Sequence, residues 1–136
     1  MPVRAIIVDD FATDRQYIKY YLVKFGCVVV GEAANAADGL QLFRALTPEV
    51  VTMDLLMPNA GNVDPMAAIR AIKEEEPDTA VIVVSTLGSQ LHIAECLDNG
   101  IFEYVIKPVD QFSFDQLGRR LRRRFPELRS SHRLNT

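Results

Sequence analysis

Apolar and polar positions along this chain switch repeatedly between a continuous run and a helical stripe. "VRAIIVD" (3–9) is an unbroken apolar, β-branched-rich run and predicts a buried strand. "TDRQYIKYYLVKFG" then places Tyr17, Ile18, Tyr21, Leu22 and Phe25 on one helical face, with Gly26 as its stop. Thr13 and Gln16 have capping-box spacing at its start. "CVVVGEA" (27–33) predicts a second strand. "NAADGLQLFRAL" (35–46) predicts a second helix with Ala36, Leu40 and Phe43 facing inward and Pro48 beyond its end. "VVTMD" (50–54) predicts the third strand, and "LLMPNAGNVD" is a loop of turn formers. Asp64-Pro65 reads as an N-cap followed by proline in the first turn of a third helix, whose core stripe is Met66, Ile69 and Ile72. "AVIVVS" (80–85), a helix over 89–100 ending at Gly100, and "FEYVI" (102–106) follow. Ser113 and Gln116 again have capping-box spacing, and Phe114, Leu117, Leu121 and Phe125 mark a fifth helix.

Five strands alternating with five helices call for an α/β fold: a parallel sheet with helices on both faces. The second and fourth strands are almost wholly apolar, as strands covered on both faces are. In such sheets ligands bind beyond the carboxyl ends of the strands. The first strand ends in Asp9-Asp10, the third in Asp54, the fourth in Ser85-Thr86 and the fifth in Lys107. Three carboxylates, a hydroxyl and an ammonium are therefore expected on one rim. Three neighbouring carboxylates repel, and a hard divalent cation removes the conflict. Mg²⁺, or Mn²⁺ in its place, prefers oxygen ligands and typically takes one or two carboxylates plus a phosphate oxygen. Lys107 supplies a second positive charge for an anion. The chemistry written into the rim is a metal plus a phosphoryl group.

The 136 residues suit one domain. No apolar run approaches the ~20 residues that cross a bilayer, and "MPVRAIIVDD" carries no long apolar segment. A soluble, cytoplasmic protein without membrane insertion is expected. Cys27 and Cys96 lie far apart and form no C-x-x-C motif, so reduced, buried thiols are expected. The net charge of −3 conceals a split. Residues 1–118 hold 8 Lys and Arg against 17 Asp and Glu, whereas residues 119–136 hold 7 Arg and 1 Glu. Arg119, Arg120, Arg122, Arg123 and Arg124 surround Leu121, and Pro126 should stop the helix. The chain thus divides into a folded unit, 1–125, and a basic, flexible tail, 126–136. The arginines suit the negative end of a helix dipole, and they also suit an acidic partner. Nucleic acid is not the expected partner, since the chain is too short for a separate DNA-binding domain.

The combination of "VDDFATDR", "VTMDLLMPN", "VVSTLG" and "YVIKP" resembles the receiver domain of two-component response regulators, and most of all the stand-alone, chemotaxis-type members. The likeness covers residues 3 to 124 and implies a flavodoxin-like, doubly wound five-stranded sheet in the order 2-1-3-4-5. It implies that Asp54 accepts a phosphoryl group from the phosphohistidine of a sensor histidine kinase or phosphotransfer protein. Asp10 and Asp54 would ligate Mg²⁺, Asp9 would act at least partly through water, and the backbone carbonyl of Leu56 would complete the protein ligands. Lys107 would contact the phosphoryl oxygens, and the Lys107-Pro108 bond would be cis. Ser85 would be the switch hydroxyl and Tyr104 the switch aromatic. The output would be a change in the face of helix four, strand five and helix five, read by a protein target. Catalysis would be confined to the domain's own phosphorylation and dephosphorylation.

Some positions depart from the family pattern. Asn62 stands where the family has Gly, and Asn tolerates the left-handed backbone that the loop needs. Thr86 follows the switch hydroxyl, and Leu56 and Leu87 flank the site where polar groups occur, which predicts a long-lived aspartyl phosphate. Other functions fit less well. A haloacid-dehalogenase-like phosphatase needs D-x-D after the first strand, and a flavin carrier needs a Ser/Thr/Gly-rich phosphate loop there; "VDDFAT" provides neither. A degenerate, phosphorylation-independent scaffold, or a tail that contacts nucleic acid, remains as the alternative; retention of Asp9, Asp10, Asp54, Ser85 and Lys107 argues against a scaffold. Successive strand residues face opposite sides, so the chain must turn for Asp9 and Asp10 to share a cation. The first strand is expected to end at Asp9, with Asp10 the closer ligand.

Overall fold

The structure, a computed structural model of the chain, describes residues 2–58 and 60–128. The elements run β1 (Arg4–Val8), α1 (Ala12–Phe25), β2 (Val28–Ala33), α2 (Ala36–Leu46), β3 (Val50–Met53), a single 3-10 turn (Ala60–Asn62), α3 (Pro65–Glu75), β4 (Ala80–Ser85), α4 (Gln90–Asp98), β5 (Glu103–Ile106) and α5 (Gln111–Arg124). The five strands form one sheet ordered β2-β1-β3-β4-β5, and every adjacent pair is parallel.

Alternation along the strands divides the core into two layers. On one face Ala5, Ile7, Val50, Ile82, Val84 and Val105 meet Ile18, Leu22 and Phe25 of α1 and Phe114, Leu117 and Leu121 of α5. On the other, Ile6, Val8, Val51, Met53, Val81 and Val83 meet the buried stripes of α2 and α3 and Cys96 of α4. Cys27 and Cys96 are buried free thiols on opposite faces of the sheet. Burial pushes the Cys27 thiol up to about 12. Among the described residues no helix is long and apolar enough to cross a membrane.

Several boundaries differ from expectation, each for a local reason. The first strand ends at Val8 rather than Asp9, although Asp9 N–H still donates to Ala33 O at 3.0 Å, so the ladder runs one residue further. Helix α1 starts at Ala12 with Phe11 in the cap position, and Thr13 is not a cap. The Asp9 carboxylate turns the chain so sharply that the helix begins before Thr13 is reached. Likewise Asp110, not Ser113, caps α5; its carboxylate accepts from Ser113 N–H. Tyr17 is exposed, so the apolar face of α1 narrows to Ile18, Leu22 and Phe25. The second strand, expected like the fourth to be covered on both faces, lies at the sheet edge with Val28 and Glu32 exposed, while β4 is buried throughout.

Other expectations hold. Asp64 accepts from Ala67 N–H at 2.8 Å with Pro65 in the first turn of α3. Asn62 does adopt the left-handed conformation, at φ 58°. The Lys107-Pro108 bond is cis. Leu128 is buried against the α1/α5 layer, so the packed chain reaches past Phe125; residues 129–136 of the expected tail lie outside the described residues.

Candidate functional site

Strand register sets the site. Val8 pairs with Met53, and Met53 with Val83, so the residues that follow β1 and β3 emerge side by side. Asp54 N–H donates to Val8 O at 3.0 Å and Lys107 N–H to Ser85 O at 2.8 Å, which carries the ladder to the rim. Three strand-end side chains then repeat one local device. Asp9 Oδ1 accepts from Phe11 N–H at 2.9 Å, Asp54 Oδ1 from Leu56 N–H at 2.9 Å, and Ser85 Oγ from Leu87 N–H at 3.3 Å. Each oxygen holds the amide two residues on, which bends the backbone away from the sheet. It also fixes one carboxylate oxygen and leaves the other free to face the rim.

The free oxygens converge on one ammonium. Lys107 Nζ donates to Asp9 Oδ2 and to Asp54 Oδ2, each at 2.8 Å, and to Asp14 Oδ2 at 2.7 Å. Asp9 is 1% exposed, Asp54 5% and Ser85 0%. Asp10 is exposed, but Asp9, Asp10 and Asp54 each offer a carboxylate oxygen within 4.8 Å of the others'. The chain has therefore turned at Asp10, which brings both carboxylates to one side. Arg15, in the first turn of α1, donates to the Asp9 carbonyl at 2.6 Å and to Glu32 at 3.1 Å, and so pins the backbone of that turn.

Burial raises the Asp9 carboxyl above its ordinary value; the hydrogen bonds from Lys107 and Phe11 oppose this without overcoming it. Burial acts to lower Lys107, but the bonds to Asp14, Asp54 and Asp9 outweigh it and raise the ammonium's pKa. One cation thus faces four carboxylates, counting Asp10. Hard oxygen donors gathered in excess of positive charge are what a divalent cation such as Mg²⁺ requires.

Tyr104 is half-buried on β5, and its hydroxyl donates to the Leu87 carbonyl. Burial raises its pKa. Leu56 is exposed, two residues after Asp54, and donates its N–H to that carboxylate. Asp9, Asp10, Asp54, Ser85, Leu56 and Lys107 lie at this rim, and Tyr104 on the strand beside it. Asp14 was missed. Its position four residues after Asp10 is the usable signal: once α1 begins at Ala12, its first turn carries Asp14 back over the rim.

The arginines at the end of α5 are less free than their number suggests. Arg120 pairs with Glu103 at 2.6 Å and lies over the Phe102 ring, and Arg124 donates to the Asp78 carbonyl at 2.8 Å. Arg122 Nε is buried, with its guanidinium over Phe25. Arg119 and Arg123 are exposed.

Comparison with known proteins follows the same lines. The profile of the response regulator receiver domain matches residues 5–118. The chemotaxis protein CheY of Thermotoga maritima is 35% identical over 108 residues, covering 79% of this chain and 88% of that protein. CheY of Bacillus subtilis shows the same identity over the same length and shares. Among solved structures, the CheX-CheY-BeF3-Mg complex from Borrelia burgdorferi matches with a TM-score of 0.79 at 23% identity, over 92% of this chain and 90% of that one, a likeness of fold.

Proposed function

The chain belongs to the response regulator receiver domain family, whose members act as phosphorylation-dependent signalling switches, and on that premise we propose that Asp54 is its phosphoacceptor. The observation that carries this is the three-way meeting of Asp9, Asp54 and Lys107 at 2.8 Å, with Asp10 beside them. Asp9, Asp10 and Asp54 would hold Mg²⁺, with the Leu56 carbonyl as a further ligand. Bound there, the cation would neutralise charge on the incoming phosphoryl group.

An Asp54 carboxylate oxygen forms the new O–P bond as the P–N bond of a phosphohistidine breaks, and the leaving imidazole takes its proton from solvent. Leu56 N–H orients the attacking carboxylate. Lys107 exchanges its bond to Asp54 for one to a phosphoryl oxygen, as a point charge. Ser85 can donate its hydroxyl to another, because toward Leu87 N–H its oxygen only accepts. Displacing Leu87 in turn loosens Tyr104, which links the rim to β5 and α4. That side presents Leu91, Leu97 and Ile106 to solvent, apolar surface suited to a protein target. The phosphodonor is a histidine kinase or phosphotransfer protein of the cytoplasm, and catalysis is confined to the domain's own phosphorylation and its reversal. The arginine cluster lies within α5, and Leu128 still packs on the core, so the boundary of the folded unit falls after residue 128 rather than at 125.

Acetyl phosphate with Mg²⁺ should add the mass of one phosphoryl group to the wild type and none to Asp54→Asn, read by intact-mass spectrometry. An unmodified wild type would leave the scaffold reading standing in its place.

A further inference from the structure

Lys107 carries three N–H donors, and all three are engaged: by Asp9, by Asp54 and by Asp14. These partners are not equivalent. Asp54 is the proposed acceptor, so its oxygen gives way to a phosphoryl oxygen. Asp9 belongs to the proposed cation site, so a divalent ion competes with the ammonium for it. Asp14 alone has no other claim on it. It sits on α1, not on a strand end, one-third exposed, and its Oδ2 makes the shortest of the three contacts at 2.7 Å.

We propose that Asp14 is a positioning residue that holds the Lys107 ammonium in place while its other two partners are exchanged for cation and phosphoryl group. This rests on the reading of Asp54 as phosphoacceptor. A lysine on a four-carbon stem is floppy; without an anchor it must be ordered at each phosphorylation event. Arg15, the neighbour of Asp14, ties the same helical turn to the Asp9 carbonyl, so the anchor is itself held against the rim. The negative charge of Asp14 is unhelpful to an anionic donor, which leaves its hydrogen-bond geometry as its contribution.

That argument separates two substitutions. Asp14→Asn keeps an oxygen acceptor and discards the charge; Asp14→Ala discards both. The maximal rate of modification by acetyl phosphate with Mg²⁺ should be at or above wild type in Asp14→Asn. It should fall ~tenfold in Asp14→Ala, the scale of losing one well-placed polar contact. The loss should appear in the maximal rate, not in the half-saturating donor concentration. In a Lys107→Ala background Asp14→Ala should change nothing, because nothing remains to be positioned. Asp14→Asn as slow as Asp14→Ala, Asp14→Ala as fast as wild type, or an equal Asp14→Ala defect without Lys107 would each overturn the assignment. A wild type that takes no phosphoryl group refutes the phosphoacceptor reading itself, a distinguishable failure.

Discussion

Tyr104 donates its hydroxyl to the carbonyl of Leu87, the residue whose N–H is held by Ser85 Oγ. One backbone unit therefore joins the hydroxyl at the rim to the aromatic ring on β5. The β4–α4 connection is fixed at both ends of the Leu87 peptide, and a change at either bond is felt at the other.

Tyr104→Phe removes the hydroxyl and leaves the Leu87 carbonyl to solvent. Unphosphorylated protein should lose about 1 kcal/mol, the net value of one such hydrogen bond. Urea denaturation of the two proteins measures it. A Phe variant as stable as wild type would mean that the contact holds nothing, and with it the link from Ser85 to β5.

The proposed metal site would have a signature in stability. Because burial raises the Asp9 carboxyl above its unfolded value, the folded state keeps a proton that the unfolded chain releases. The associated stability is complete below the unfolded value, about pH 4, and is lost as pH rises through the folded value. Metal-free wild type should therefore lose stability relative to Asp9→Asn across that interval. Saturating Mg²⁺ should reverse the order at neutral pH, adding about 2.7 kcal/mol to wild type at a hundredfold excess over Kd and far less to Asp9→Asn. Thermal melts with chelator and with Mg²⁺ at several pH values decide it; parallel profiles for the two proteins would remove Asp9 from the cation site.

Much of this was legible in the sequence because strand ends are chemically abrupt. Asp9, Asp54, Ser85 and Lys107 each close an apolar run, and parallel topology alone sends them to one rim. Helix starts were harder. Thr13 and Ser113 have the right spacing for caps, but Asp9 and Asp110 turn the chain earlier, and a one-turn pattern cannot see a competing side chain upstream. The same early start of α1 conceals Asp14, whose role depends on where its helix begins. Edge position is harder to read from composition: Val28–Val30 resemble the core run of β4, and only Glu32 and the strand order mark β2 as the exposed one.

Leu56 and Thr86, which follow Asp54, the proposed acceptor, and Ser85 along the chain, are exposed, and Leu87 is half-buried. An apolar side chain there gives a hydrolytic water nothing to bond. Leu56→Asn supplies an amide at the same distance from Asp54, and one added hydrogen bond of about 1 kcal/mol corresponds to a roughly fivefold faster loss of phosphoryl group. Decay of the phosphorylated mass after donor removal is the measurement. An unchanged or longer half-life would show that water access is not set at this position.

Gly118 tests the packing between α1 and α5. A Cβ built there would lie 2.6 Å from Phe25 Cε1 and 2.8 Å from Cδ1, closer than carbon atoms approach. Phe25 is buried, with Arg122 over its ring, and cannot swing away into solvent. Alanine in a helix interior is favoured over glycine by ~1 kcal/mol, whereas overpacking a close-packed core costs about 1–3 kcal/mol. The second term should win, so Gly118→Ala lowers the denaturation midpoint. Lys107 lies just before α5, so a shifted helix should also slow phosphorylation of Asp54. A variant more stable than wild type would mean that the two helices separate easily, and that α5 is not clamped by the ring beneath it.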